Sequence, residues 1–300
     1  MPMTEAAPSL KGRLLSGFVR FLGLLPLGVS RGLGGCVGRL NYLLKTRLAE
    51  TSRLNISRCF PDLSYEQREM LIKQSMIETG RVGVEVPLIW VKPYAWLESK
   101  ILKTHHRNLL DNALSDDVGL VLLLPHLGNW EIFGPYIARM TEMTALYQPP
   151  KFVEMENLIR QSREREGAKL VPTNNKGVMA LFKALKKGGT TIILPDQVPA
   201  EEAGEFAPFF GVPALTMTLI HGLVQRTGCQ VIMAYALRVE GGFELTFAQP
   251  DGAIYSEDVG IALAAMNRSI EACVEACPSQ YQWEYKRFRK QPPGTPKFYG

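Results

Sequence analysis

The sequence predicts an α/β protein whose mostly parallel sheet carries helices on both faces. Two observations lead there. From residue 118 onward, apolar runs of strand length alternate with amphipathic stretches of helix length, and the first run, Val118 to Leu124, is unbroken. Hydrophobic residues make up 46% of the 300 and charged ones 21%, a balance that supports a large buried core and excludes wholesale disorder.

Along the chain, Ser64-Tyr65-Glu66-Gln67 after Pro61 reads as a capping box opening a helix to about Gly80. A second helical stretch carries Trp90 and Trp96, and a short one covers Leu109 to Leu114. Strands are expected at Val118–Leu124, Thr144–Tyr147, Lys169–Val171, Thr190–Leu194, Val231–Val239 and Phe243–Phe247, the last two pairing antiparallel around Gly241-Gly242. Helices are expected from Trp130, over Val153–Glu166, Gly177–Lys187, Thr216–Thr227 and Val259–Ala276. Between these, Glu201 to Pro213, with Phe206, Phe209 and Phe210, reads as a loop touching an apolar ligand or a membrane, or packing on the core.

The N-terminal region differs in texture. From Leu14 to Leu44 it is mostly apolar, yet Arg20, Arg31 and Arg39 interrupt it. A clean spanning helix needs a longer uncharged stretch, and no small-residue cleavage site follows a compact apolar centre. Arginines at these spacings can snorkel from a helix lying in the interface, so residues 1–50 are expected to associate with a membrane and 51–300 to form the catalytic domain. A helical hairpin docked through Gly28–Gly32 and Gly34–Gly38 is the alternative.

Composition restricts the partners. Thirty-four Lys+Arg against 29 Asp+Glu give a net charge of +5, too small and dispersed for a nucleic-acid footprint but suited to an anionic membrane face. The five cysteines are scattered without a CxxC, so neither a disulfide framework nor a zinc ribbon is expected, and a reducing, cytoplasmic setting fits. Two local motifs mislead. Gly32 to Gly38 has the wrong glycine spacing for a dinucleotide loop, and Gly28-Val29-Ser30-Arg31-Gly32 matches a nucleophile elbow before any sheet has been laid down.

The candidate site is Pro125-His126-Leu127-Gly128-Asn129-Trp130-Glu131. Residues five apart on one helix point about 140° away from each other, so His126 and Glu131 must straddle a turn to meet. Pro125 and Gly128 break the strand, Asn129 is a good N-cap, and Glu131 then falls in the first helical turn. From there the carboxylate could orient the imidazole as a general base. On the residues alone a satisfied core histidine and a carboxylate favoured by the helix dipole remain an equal alternative. No second histidine stands at metal-binding spacing, so no metal is expected.

PHLGNWE resembles the H-x4-(D/E) motif of the glycerolipid acyltransferase superfamily, and the chain resembles the bacterial lipid A biosynthesis lauroyl/myristoyl acyltransferases. Further pieces match in order: Lys183-Ala184-Leu185-Lys186-Lys187-Gly188, Leu194-Pro195-Asp196-Gln197, Phe209-Phe210-Gly211 leading to Thr216, and Gln280 through Phe288. One departure is Tyr285, where the family often carries histidine. The resemblance implies a glycerol-3-phosphate acyltransferase-like core and a secondary acylation of a Kdo2-lipid A precursor from acyl carrier protein, with no cofactor beyond that donor. It places the enzyme on the cytoplasmic face of the inner membrane, in contact with its phospholipid surface. His126 would take the hydroxyl proton and Glu131 would hold the tautomer. Arg160 and Arg163, three apart on a helix that also carries Arg165, could converge on one anion or lie on a solvated face balanced by Glu164 and Glu166. Asp196 could orient an arginine or the acceptor sugar, or simply form a turn. The segment from Trp283 to Lys290 mixes aromatic and basic residues as interfacial or phosphate-contacting segments do. Other readings are an acyltransferase acting on another glycolipid or an ornithine-type lipid, a membrane-associated scaffold, and a hydrolase using Ser30.

Overall fold

The computed structural model describes residues 9–150 and 152–299; the first eight residues of the expected N-terminal segment lie outside that range. In chain order the helices are α1 (Leu10–Leu24), α2 (Leu27–Leu43), α3 (Arg47–Cys59), α4 (Tyr65–Val91), α5 (Tyr94–Lys100), α6 (Arg107–Ser115), α7 (Phe133–Ala138), α8 (Val153–Glu164), α9 (Asn175–Leu185), α10 (Leu219–Thr227) and α11 (Val259–Ala276). The strands are β1 (Ile101–His105), β2 (Leu120–Leu123), β3 (Thr144–Tyr147), β4 (Lys169–Pro172), β5 (Thr190–Ile193), β6 (Gly204–Phe209), β7 (Val212–Met217), β8 (Gln230–Val239) and β9 (Gly242–Ala248).

The central sheet runs β1-β9-β8-β2-β5, with β2 parallel to both of its neighbours. Beyond β5 a parallel bridge from Met143 to Thr190 attaches the parallel pair β3-β4. All four residues of β2 are buried, because side chains on both of its faces meet helices. Val121 and Leu123 join the core with Leu181, Leu223 and Met266 of α9, α10 and α11. Leu120 and Leu122 join the opposite one with Leu110, Phe133 and Ile137 of α6 and α7. A two-residue turn with Gly241 at φ +79° folds β9 back antiparallel on β8.

The helix opened by Ser64 does not end near Gly80 but runs unbroken to Val91, so Trp90 belongs to it and Trp96 to the separate α5. Gly80 is there for a contact. A Cβ on Gly34 of α2 would lie 2.4 Å from the Gly80 carbonyl oxygen, and one on Gly38 would lie 2.1 Å from that of Met76. Gly34 and Gly38 thus let α2 and α4 touch backbone to backbone, as the docked alternative expects, whereas Gly28 and Gly32 face open space and take no part. No helix among the described residues is long and apolar enough to cross a membrane. Even so, the hairpin turns Leu14, Phe18, Phe21, Leu33, Val37, Leu40 and Leu44 outward. Arg20 and Arg39 are exposed, but Arg31 points inward, its Nε 2.6 Å from Glu85 Oε1 and its Nη2 donating to the Gly242 carbonyl at 2.8 Å. Ser30, the candidate elbow nucleophile, is a fully buried residue inside α2.

Two further expectations change. Glu201–Pro213 is not a loop: it holds most of the β6-β7 hairpin, whose second strand takes Thr216, so the next helix starts at Leu219. The turn sits at Phe210 (φ +49°) and Gly211 (φ +72°), and Phe210 packs on Phe60 and Trp283 instead of facing a ligand. At the C-terminus, Trp283, Arg287 and Phe288 are core residues, with Asn55 Nδ2 donating to the Trp283 carbonyl at 2.7 Å. Mixed aromatic and basic composition there reflects a buried guanidinium among rings. Edge strand β1 escaped the sequence pattern because its half-exposed residues lack an apolar run.

The close approach of α2 and α4 predicts that Gly38→Ala lowers stability by about 1–3 kcal/mol through overpacking. Gly32→Ala, whose Cβ meets open space, is expected to be neutral or to stabilise by up to about 1 kcal/mol. Thermal unfolding of the two variants separates these outcomes.

Candidate active site

The candidate site forms where β2 and β5 end side by side. Leu123 pairs with Ile193 in register, so His126 and Asp196, each three residues further on and each behind a Leu-Pro, arrive together. His126 Nδ1 lies 2.7 Å from Asp196 Oδ1, and the His126 backbone N–H donates to Asp196 Oδ2 at 2.8 Å. The turn carrying the histidine is clamped from below. Gly128 (φ +65°) donates its N–H to the Gln280 carbonyl at 3.0 Å, and Asn129 N–H donates to that of Ala236 at 2.9 Å. A Cβ on Gly128 would fall 1.9 Å from the Ala236 oxygen, so both the conformation and the approach require glycine.

Asp196 is 2% exposed. Burial works to raise its carboxyl, but the charge of the His126 ring and the hydrogen bonds from that ring and backbone outweigh it, and the group sits below the ordinary carboxylate value. An anionic Asp196 accepts, so Nδ1 is assigned the proton, and in the neutral ring this leaves the lone pair on Nε2. That lone pair faces the Gln197 amide Nε2 at 3.1 Å.

Glu131 does not orient the imidazole. Its carboxylate pairs with Arg163, through Nη2 and through Nε at 3.3 Å, and accepts from Trp90 Nε1 at 3.0 Å. The expected N-cap geometry failed first. Asn129 makes no capping bond, its Nδ2 lying 3.4 Å from Glu85, and the chain enters a 3-10 turn at Trp130–Ile132 that carries Glu131 toward α8. Trp130 fills the space over His126 instead, the ring centroids 4.7 Å apart.

The arginines of α8 disperse. Arg160 pairs along its own helix with Glu164 at 3.2 Å, and Arg165 pairs with Glu166 at 3.1 Å. Only Arg163 enters the site, so Arg160 and Arg163 do not converge on one anion. Burial opposes its charge, but Glu131 outweighs that and holds the guanidinium above its ordinary value. His126, Glu131 and Arg163 edge a cleft of about 200 Å³ whose remaining wall includes Met143, Ala145, Leu146, Leu170, Ile192 and Leu194. Behind the imidazole, Asp196, Gln197, Tyr281 and Arg287 enclose a void of about 10 Å³, close to the size of one water. Asp196 lines that void rather than the cleft, and holds the histidine rather than an arginine or a sugar. Sequence reasoning missed Gln197, Trp90 and Trp130. The repeated Leu-Pro before His126 and Asp196 was the available sign that the two strand ends match.

An α/β sheet here delivers an oriented histidine to the edge of a largely apolar cleft. The chain belongs to the bacterial lipid A biosynthesis acyltransferase family, which it matches over residues 12–290. It is 29% identical over 281 residues to the lipid A biosynthesis palmitoleoyltransferase of Escherichia coli (strain K12), covering 92% of this chain and 90% of that protein. It is 25% identical over 282 residues to the lipid A biosynthesis lauroyltransferase of the same organism, covering 92% of this chain and 90% of that protein. The myristoyltransferase is 25% identical over 278 residues, covering 87% and 80%.

Removing the Asp196 charge makes a pH-resolved prediction. A carboxyl depressed on folding stabilises above its unfolded value, about 3.9, and that stabilisation is lost as pH falls through the lower folded value. Asp196→Asn is therefore expected to be less stable than the parent protein above about pH 5, with the gap narrowing below pH 4. Urea midpoints across that range measure it.

Proposed function

We propose that the protein is a secondary acyltransferase of lipid A biosynthesis, moving a fatty acyl chain from acyl carrier protein to the hydroxyl of a hydroxyacyl group on a Kdo2-lipid A precursor. The observation that carries the reading is the His126 imidazole, held through Nδ1 by Asp196 at 2.7 Å at the lip of the apolar cleft. His126 Nε2 takes the hydroxyl proton as the alcohol oxygen attacks the thioester carbonyl. The tetrahedral intermediate then expels the thiolate, which takes that proton from the imidazolium, so the ester forms as the C–S bond breaks and no covalent enzyme intermediate or cofactor is required. Asp196 fixes the tautomer and stabilises the imidazolium. Glu131 fixes Arg163, whose guanidinium lines the cleft as a cation for the developing oxyanion or an anionic part of the substrate.

The apolar face of α1 and α2, flanked by the exposed Arg20 and Arg39, supports association with an anionic bilayer surface, here the cytoplasmic face of the inner membrane. Residues 1–50 then serve as the membrane-associating part and residues 51–300 as the acyltransferase domain. The relatives' names specify palmitoleoyl, lauroyl and myristoyl chains, so membership alone assigns no chain length.

His126→Ala is expected to cut turnover by about 10²- to 10⁴-fold with acyl-carrier-protein donors while leaving lipid binding intact. Unchanged turnover in purified protein would remove the general base from the reaction. Ala145→Leu narrows the cleft, so its rate with a palmitoyl donor should fall several-fold more than with a decanoyl donor; an equal effect on both places the acyl chain elsewhere.

A further inference from the structure

A second cleft, of about 710 Å³, opens between the α1–α2 turn, α4, α5 and the β8-β9 turn, and shares no lining residue with the His126 cleft. Four cations line it: Arg31, Arg81, Lys100 and Arg238, against the single carboxylate of Glu240. Beneath them Glu78 and Glu85 hold the guanidinium groups. Arg238 Nε lies 3.0 Å from Glu78 Oε2 and 3.5 Å from Glu85 Oε2, and Arg31 Nε lies 2.6 Å from Glu85 Oε1. Lys100 has no ion-pair partner among the described residues, so the group retains an excess positive charge.

Arg238 is 8% exposed, yet its buried Nη1 has no hydrogen-bond acceptor among the described residues, and neither does the buried Nε of Arg81. Buried guanidinium N–H groups left without an acceptor are costly, and a tetrahedral oxyanion satisfies several at once. The cleft also lies at the turn joining the two helices that expose Phe21, Leu24, Val29 and Leu33. Anything whose apolar part rests on those helices would present its polar end here.

We propose that this cleft binds a phosphate monoester group, that of a lipid headgroup, through Arg238, Arg81 and Lys100. Inside the fold the site reaches the turn that carries His126, because Glu85 Oε2 lies 3.4 Å from Asn129 Nδ2. The proposal does not require the acyl-transfer reading, since the site is separate from the imidazole.

The test is equilibrium binding of dihexanoylphosphatidic acid, below its micellar concentration, to the full chain in uncharged detergent. Fluorescence of Trp96, which lines the cleft, follows binding, with Trp96→Phe identifying its share of the signal. Dihexanoylglycerol serves as the uncharged control and inorganic phosphate as competitor. Saturable binding of the phosphatidic acid but not the glyceride is expected, weakened about tenfold or more in Arg81→Ala/Lys100→Ala and retained in His126→Ala. These substitutions avoid Arg238, which pairs with both Glu78 and Glu85; Arg81 also pairs with Glu78, so Lys100→Glu alone, which should also weaken binding, is the variant that leaves the buried network untouched. Tighter binding of the lipid than of inorganic phosphate assigns the site to a headgroup, whereas equal affinity assigns it to free phosphate and overturns the lipid part. Absence of saturable binding, or binding unchanged in both Lys100 variants, overturns the site.

Discussion

The candidate site depends on one hydrogen bond, from the His126 ring to the Asp196 carboxylate. It is a consequence of sheet register. Parallel strands β2 and β5 end level with one another, and an equal offset past each end places the imidazole and the carboxylate 2.7 Å apart. Both ends are rigid, since β2 is buried on both faces and Gly128 pins the following turn against β8. The imidazole is thus positioned by the core of the sheet, and Gln197 has to release Nε2 before that lone pair can take a substrate proton.

Sequence reasoning singled out His126 and named the wrong hydrogen-bond partner for it, for a physical reason. Spacing along the chain can state where Glu131 falls in a turn, but the competing acceptor came from a strand seventy residues away, whose adjacency no local pattern reports. Six of the nine strands among the described residues were legible as short apolar runs, whereas half-exposed β1 and the β6-β7 hairpin were not; Thr144–Tyr147 and Val259–Ala276 match residue for residue. Where one composition serves two environments the reading failed. The segment near Arg287 reads as a membrane face, yet its Trp283, Arg287 and Phe288 are core while Arg289 and Lys290 are exposed, and glycines that end helices elsewhere sit in the middle of α2 and α4 to bring them together.

The N-terminal hairpin and the site are joined by charge as well as by packing. Arg31 of α2, Glu78 and Glu85 of α4, and Arg238 of β8 form a buried network that reaches Asn129 in the histidine's own turn. Burial pushes the Glu85 carboxyl up, against the pull of Arg238 and Arg31. The helices with the exposed apolar face are thus bound into the catalytic core instead of being tethered to it.

The central claim is that Asp196, and not Glu131, fixes the proton on His126 Nδ1. Nitrogen NMR of the imidazole in protein labelled at histidine measures this directly, with His126→Ala assigning the signal. The account predicts a protonated Nδ1 and an unprotonated Nε2 in the parent protein and in Glu131→Gln, with that preference lost in Asp196→Asn. Loss of the preference in Glu131→Gln, with Asp196→Asn unchanged, would contradict it.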